Sequence, residues 1–176
     1  MRRLALITAL ALLPTAAYAH PDPSHALGFL HGFAHPLGGG DHILAMLAVG
    51  VFAAVLAGRA LWLVPLSFLA MMVAGFGLGV SGITLPFTEL AVAASGVVIG
   101  AAAMFGRSTP VPLAMSLVGV FAVFHGMAHG AEMPVESGAA LYAIGFVAAT
   151  ALLHVAGVAL TLGIAWSIRR LRKAAA

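Results

Sequence analysis

Three imidazoles and a carboxylate fall within twelve residues in His31-Gly-Phe-Ala-His35-Pro-Leu-Gly-Gly-Gly-Asp41-His42. About ninety residues later the theme returns in Phe124-His125-Gly-Met-Ala-His129-Gly-Ala-Glu132. Both stretches lie against almost wholly apolar sequence, a setting in which ionisable groups are costly and usually functional. On a helix, positions i, i+4 and i+7 share one face, so His125, His129 and Glu132 line up, as do His31 and His35. Two imidazoles at i and i+4 can hold one metal ion. Neutral imidazole and carboxylate suit borderline divalent ions such as Ni²⁺, Co²⁺, Cu²⁺ and Zn²⁺. The expectation is that His35, Asp41, His42, His125, His129 and Glu132 line one divalent-metal site in a membrane transporter.

The Pro36-Leu-Gly-Gly-Gly40 break adds backbone carbonyls, which interrupted transporter helices use to coordinate cations. Asp41 also suits a helix N-cap, and Glu132 a solvated loop acid. His31 fits either a ligand or a residue that orients one. His154 fits either the site or a polar helix–helix contact, and Glu89 either the site or the acidic start of a helix. His20 would become the first residue after signal cleavage, where its amine and imidazole could chelate a metal together.

These residues need elements to position them, and composition says which. The chain has 176 residues, 62% hydrophobic and 7% charged. Soluble domains are typically ~25% charged, so this is the composition of an integral membrane protein. There is no cysteine, which removes thiolate ligands and disulfides. No phosphate-cradling Gly-Lys-Ser/Thr loop is present, and no basic patch with interleaved aromatics, which argues against an ATP-driven pump and a nucleic-acid partner.

Residues 1–19 read as a secretory signal peptide: Arg2 and Arg3, an apolar core from Leu4 to Leu13, and Ala17-Tyr18-Ala19 at the cleavage point. Residues 20–176 read as a single transmembrane domain. The expected fold is all-α: a polytopic membrane helix bundle of five transmembrane helices, with a broken half-helix (26–34) before the first span. The spans fall at about 41–57, 60–80, 87–105, 111–131 and 138–168. With a translocated mature N-terminus, Arg59, Arg107 and the 169–173 cluster all face the cytoplasm, as the positive-inside bias requires. Asp22, Asp41, Glu89, Glu132 and Glu136 then gather at the outer face. The many glycines of the spans are expected to serve close helix packing.

His35-x5-Asp41-His42 and Phe124-His-Gly-x-Ala-His-Gly-x-Glu132 resemble the two signature motifs of the HupE/UreJ family. The likeness extends to the cleavable signal, the His-Pro mature start and the basic C-terminus. It implies a bacterial nickel permease of the inner membrane, linked with hydrogenase or urease maturation, with cobalt the next metal. It implies too that His35, Asp41, His42, His125, His129 and Glu132 are transport residues.

The expected function is non-ATP uptake of a divalent metal from periplasm to cytoplasm, nickel first, with no enzymatic activity and no required cofactor. Its partners would be the lipid bilayer, the metal ion and cytoplasmic nickel chaperones of the maturation pathway. The rivals are a non-transporting metal-binding accessory and a di-metal oxidase, since clustered His and carboxylate also serve non-haem iron. A serine protease built on Gly79-Val-Ser81-Gly82 and His154 would leave both His clusters unexplained.

Overall fold

The computed structural model describes residues 28–106, 108–134 and 137–175. The expected signal peptide, His20, Asp22, Arg107 and Glu136 lie outside the described residues. Among those described there are six α-helices and one 3-10 turn, with no strand. They are α1 (Gly28–Ala34), the turn His35–Leu37, α2 (Gly40–Leu56), α3 (Ala60–Val80), α4 (Thr88–Phe105), α5 (Val111–Glu132) and α6 (Ala139–Ala174).

Three of these, α3, α5 and α6, are long and apolar enough to cross a membrane. At ~1.5 Å per residue, even the shortest of them reaches ~30 Å, the thickness of the hydrocarbon layer. α1 with its 3-10 turn and α2 pass the same test only as a pair, bent by 83° at the glycines between them. α4 is a shorter apolar helix. The expected five spans therefore resolve into three full-length helices, one broken pair and one short helix. Two boundaries also move. Asp41 is not the cap of α2: Gly39 holds that position, and Asp41 sits in the first turn. Its carboxylate accepts from the adjacent His42 N–H at 2.8 Å. α6 does not stop at Ile168 but carries the basic cluster on its last turns, with Arg170 over the Trp166 ring at 4.5 Å.

The helices pack as small residues allow. α3 and α5 form the most extensive pair. A Cβ on Gly126 would strike the Met72 carbonyl oxygen, and one on Gly75 the Val123 carbonyl. Such backbone contact is the small-xxx-small geometry of membrane helices. Gly145 of α6 meets α1 in the same way, and Gly50 of α2 meets the His154 carbonyl. The packing role expected for the glycines holds at these positions, whereas Gly77, Gly100 and Gly163 have open space where a Cβ would be.

Phe52, Phe68, Met72, Phe76, Tyr142 and Phe146 fill the centre of the bundle. Large apolar side chains such as Leu66, Val97, Leu113 and Val155 point outward, a surface suited to lipid rather than to water. The connections between α2 and α3 and between α5 and α6 are short, and short links make neighbouring helices antiparallel. The starts of α2, α4 and α6 and the ends of α3 and α5 therefore share one end of the bundle. Every described Asp and Glu is at that end.

Candidate metal site

The 3-10 turn presents His35, the first turn of α2 presents His42, and the last turns of α5 present His125, His129 and Glu132. These five residues form two overlapping groups: His35, His129 and Glu132, and His42, His125 and His129. In each group one donor atom per residue lies within 4.8 Å of the others. Donors on a common ion at ~2.1 Å stand ~3.0–3.4 Å apart, so small side-chain shifts would bring either set onto a metal. His129 belongs to both. The groups also differ in burial, since Glu132 is exposed in the first while His125 and His129 are fully buried in the second.

The rings form a chain of contacts. His35 lies edge-on to His129 at 4.8 Å between centroids, His129 is 4.7 Å from His42, and His42 is 4.9 Å from His125. Phe146 packs on His129 at 4.2 Å and Phe68 on His125 at 5.7 Å. Tyr142 stands 6.0 Å from His35, with its hydroxyl buried and unpartnered.

Hydrogen bonds assign the free nitrogens. Asp41 Oδ1 lies 3.0 Å from His42 Nδ1. A carboxylate only accepts, so Nδ1–H donates to it and Nε2 keeps the lone pair. That Nε2 is buried without a partner. The arrangement is the carboxylate–histidine pair that orients metal ligands. Asp41 itself belongs to neither three-residue group.

His125 is treated alike by a residue that the sequence reading missed. Ser95 Oγ–H donates to the Val92 carbonyl at 2.6 Å, which uses its single proton. The same oxygen is 2.9 Å from His125 Nε2, so it accepts from Nε2–H. Nδ1 is thereby the lone-pair nitrogen of His125, and it too is buried and unpartnered. A lone serine in an apolar helix carries no motif, so nothing in the sequence singles it out. Glu132 Oε2 accepts from His35 Nε2–H at 3.2 Å, a contact that a cation between them would replace.

The remaining candidates are not drawn into either group. His31 is partly buried on α1 with an unpartnered Nδ1, and His35 has left that helix for the 3-10 turn. Glu89, exposed in the first turn of α4, lines an open groove of ≈ 530 Å³ with Glu132 and Met127. His154 is buried on α6 and meets Phe68 at 5.1 Å. Ser81 spends its hydroxyl on the Gly77 carbonyl at the exposed end of α3, and so is not arranged as a nucleophile toward His154.

Apolar helices of spanning length around a clustered set of imidazoles and carboxylates define an integral membrane protein with a candidate metal site. Residues 8–176 match the HupE / UreJ protein family. The chain is 47% identical over 154 residues to Protein HupE of Rhizobium leguminosarum bv. viciae, covering 88% of this chain and 80% of that protein. It belongs to the HupE/UreJ family. No solved structure matches the chain.

Proposed function

We propose that this protein is a secondary permease that carries a divalent transition metal, nickel first and cobalt second, from the periplasm to the cytoplasm. The observation that carries the reading is the sharing of His129 between two three-ligand groups of graded burial. A resident metal is held best by one closed ligand set. Two sets with a common member let an ion exchange Glu132 and His35 for His42 and His125 without leaving His129. Favourable but replaceable coordination is what conduction requires.

The mouth of the path is the end where Glu132, Glu89 and Asp41 collect, and it faces the periplasm. Arg59 and the basic end of α6 face the cytoplasm, following the positive-inside bias. Five crossings, with α1 and its turn as a re-entrant entrance and α4 as a short span, satisfy this arrangement after cleavage at residue 19. His31, Glu89 and the mature His20 would attract or pre-bind the ion outside the two groups. Cytoplasmic nickel chaperones of hydrogenase or urease maturation would receive it. An oxidase fits less well, because carboxylate-bridged di-metal centres draw on several glutamates, and Glu132 is the one acid in the two groups.

The experiment is metal influx into proteoliposomes of the mature protein under an inside-negative potential, comparing Ni²⁺, Co²⁺, Zn²⁺ and Fe²⁺. Potential-dependent Ni²⁺ influx, abolished by His129→Ala, is the expected result. Tight binding with no passage would remove the permease reading and leave the accessory one.

A further inference from the structure

Below His125 the path has no obvious continuation. Some fourteen residues of α5, or ~21 Å, separate His125 from the other end of that helix. The buried polar residues among those described are Ser95, His125, His129, Ser137, Thr150 and His154. Ser95 is committed to His125, and Ser137 lies at the mouth just before α6. That leaves Thr150 and His154.

These two are one turn apart on α6, at i and i+4, and so share a face. Both are at most 1% exposed. Neither nitrogen of His154 has a hydrogen-bond partner, and neither does the Thr150 hydroxyl. The last point is informative, because a helical threonine can bond back to its own helix. Thr161, further along α6, does so to the Gly157 carbonyl at 2.9 Å. Thr150 does not. Three polar atoms are therefore offered to the interior with nothing satisfying them.

Their depth follows from the packing. Phe146 touches His129, so Thr150 is ~6 Å and His154 ~12 Å further along α6. His125 is itself one turn below His129 on α5. Phe68 meets both rings, His125 at 5.7 Å and His154 at 5.1 Å, the latter edge-on at 88°.

We propose that Thr150 and His154 form a second, inner station for the divalent cation, deeper along α6 than the outer groups and joined to them through contacts with Phe68. This rests on the permease reading. One imidazole and one hydroxyl, completed by water, bind more weakly than three imidazoles. A weaker last station suits release, since an ion must bind well enough to enter and loosely enough to leave. The unpartnered atoms then have a transient partner of the right chemistry.

The test is Ni²⁺ binding to the full mature chain in lipid nanodiscs, measured together with influx into proteoliposomes. The wild type should bind a tight ion and a weaker one. His154→Leu should lose the weaker ion, keep the affinity of the tight one, and slow influx at least about tenfold, the lower bound seen even when only an outer partner of a metal ligand is removed. The retained tight ion shows that His154→Leu is folded. Should that variant not fold, Thr150→Val, nearly isosteric, is expected to weaken the second ion and slow influx. His42→Ala should do the reverse, weakening the tight ion first.

A wild-type Ni²⁺ stoichiometry of one, or a weaker ion untouched by both α6 substitutions, overturns the inner station. Wild-type influx in both α6 variants also overturns it, and leaves the permease reading intact. If the wild type moves no Ni²⁺ while His154→Leu still removes a bound ion, the permease reading fails and the His154 site stands as a binding site.

Discussion

At the candidate site Asp41 and Ser95 each take one ring N–H of a histidine, leaving the other nitrogen free for the proposed metal. Outer partners of this kind change metal affinity by ~10–100-fold when removed. Ser95→Ala is expected to weaken Ni²⁺ binding within that range and to free His125 to take either tautomer, whereas Ser95→Thr retains the hydroxyl and should restore binding. Isothermal titration of the three proteins checks this, and equal affinities would remove Ser95 from the site. Asp41→Ala takes away the acceptor for His42 Nδ1–H, while Asp41→Asn keeps an oxygen in place. Influx should therefore fall further in Asp41→Ala than in Asp41→Asn. Equal loss in the two variants would mean that the charge of Asp41, rather than its hold on His42, is what matters.

Two elements set the geometry. The α3–α5 pair brings the His125–Glu132 face against the core because glycines let the two backbones touch. Gly126→Val would place side-chain atoms where the Met72 carbonyl stands. Overpacking typically costs ~1–3 kcal/mol, and backbone is less able to yield than a side chain. The thermal midpoint in detergent should drop clearly for Gly126→Val. Gly77→Ala, with open space at its Cβ, should leave the midpoint unchanged or raise it, since alanine is the better helix former by ~1 kcal/mol. Equal loss in both variants would mean that helix approach is not what Gly126 provides. The second element is the break between α1 and α2. Its 83° bend lets His35 and His42, seven residues apart, reach the same His129 from different directions.

At the scale of the whole molecule, the described acids lie at one end with most of the described histidines toward it, and the described basic residues lie at the other. A divalent ion moving inward through such a bundle gains ~4.6 kcal/mol per 100 mV of potential. That supports a concentration ratio of ~10³, enough for uptake without ATP. The proposed uptake requires the acidic end to be outside. Because the chain has no cysteine, a single cysteine at Thr84 or at Arg59 can report its side. A membrane-impermeant thiol reagent added to intact cells should label Thr84→Cys and spare Arg59→Cys. Labelling of Arg59→Cys alone would invert the proposed topology and with it the direction of transport.

Much of this was legible in the chain by itself. Apolar runs set the helices because lipid satisfies no backbone group, leaving the helix as the only form such segments can take. The bounds of α3 coincide with the apolar run 60–80, and the His125–His129–Glu132 face follows from helical periodicity alone. Pro36 and the glycines after it announced a break, though not its angle. What local pattern could not supply is which nitrogen meets which residue. The pairing of Ser95 with His125 joins positions thirty residues apart, and that of His35 with Glu132 joins positions ninety-seven apart. Only the packing of glycine-lined helices decides those distances. The same packing sets His154 against Phe68, the ring that also meets His125, because helix crossing, unlike helix formation, depends on side chains from every neighbour at once.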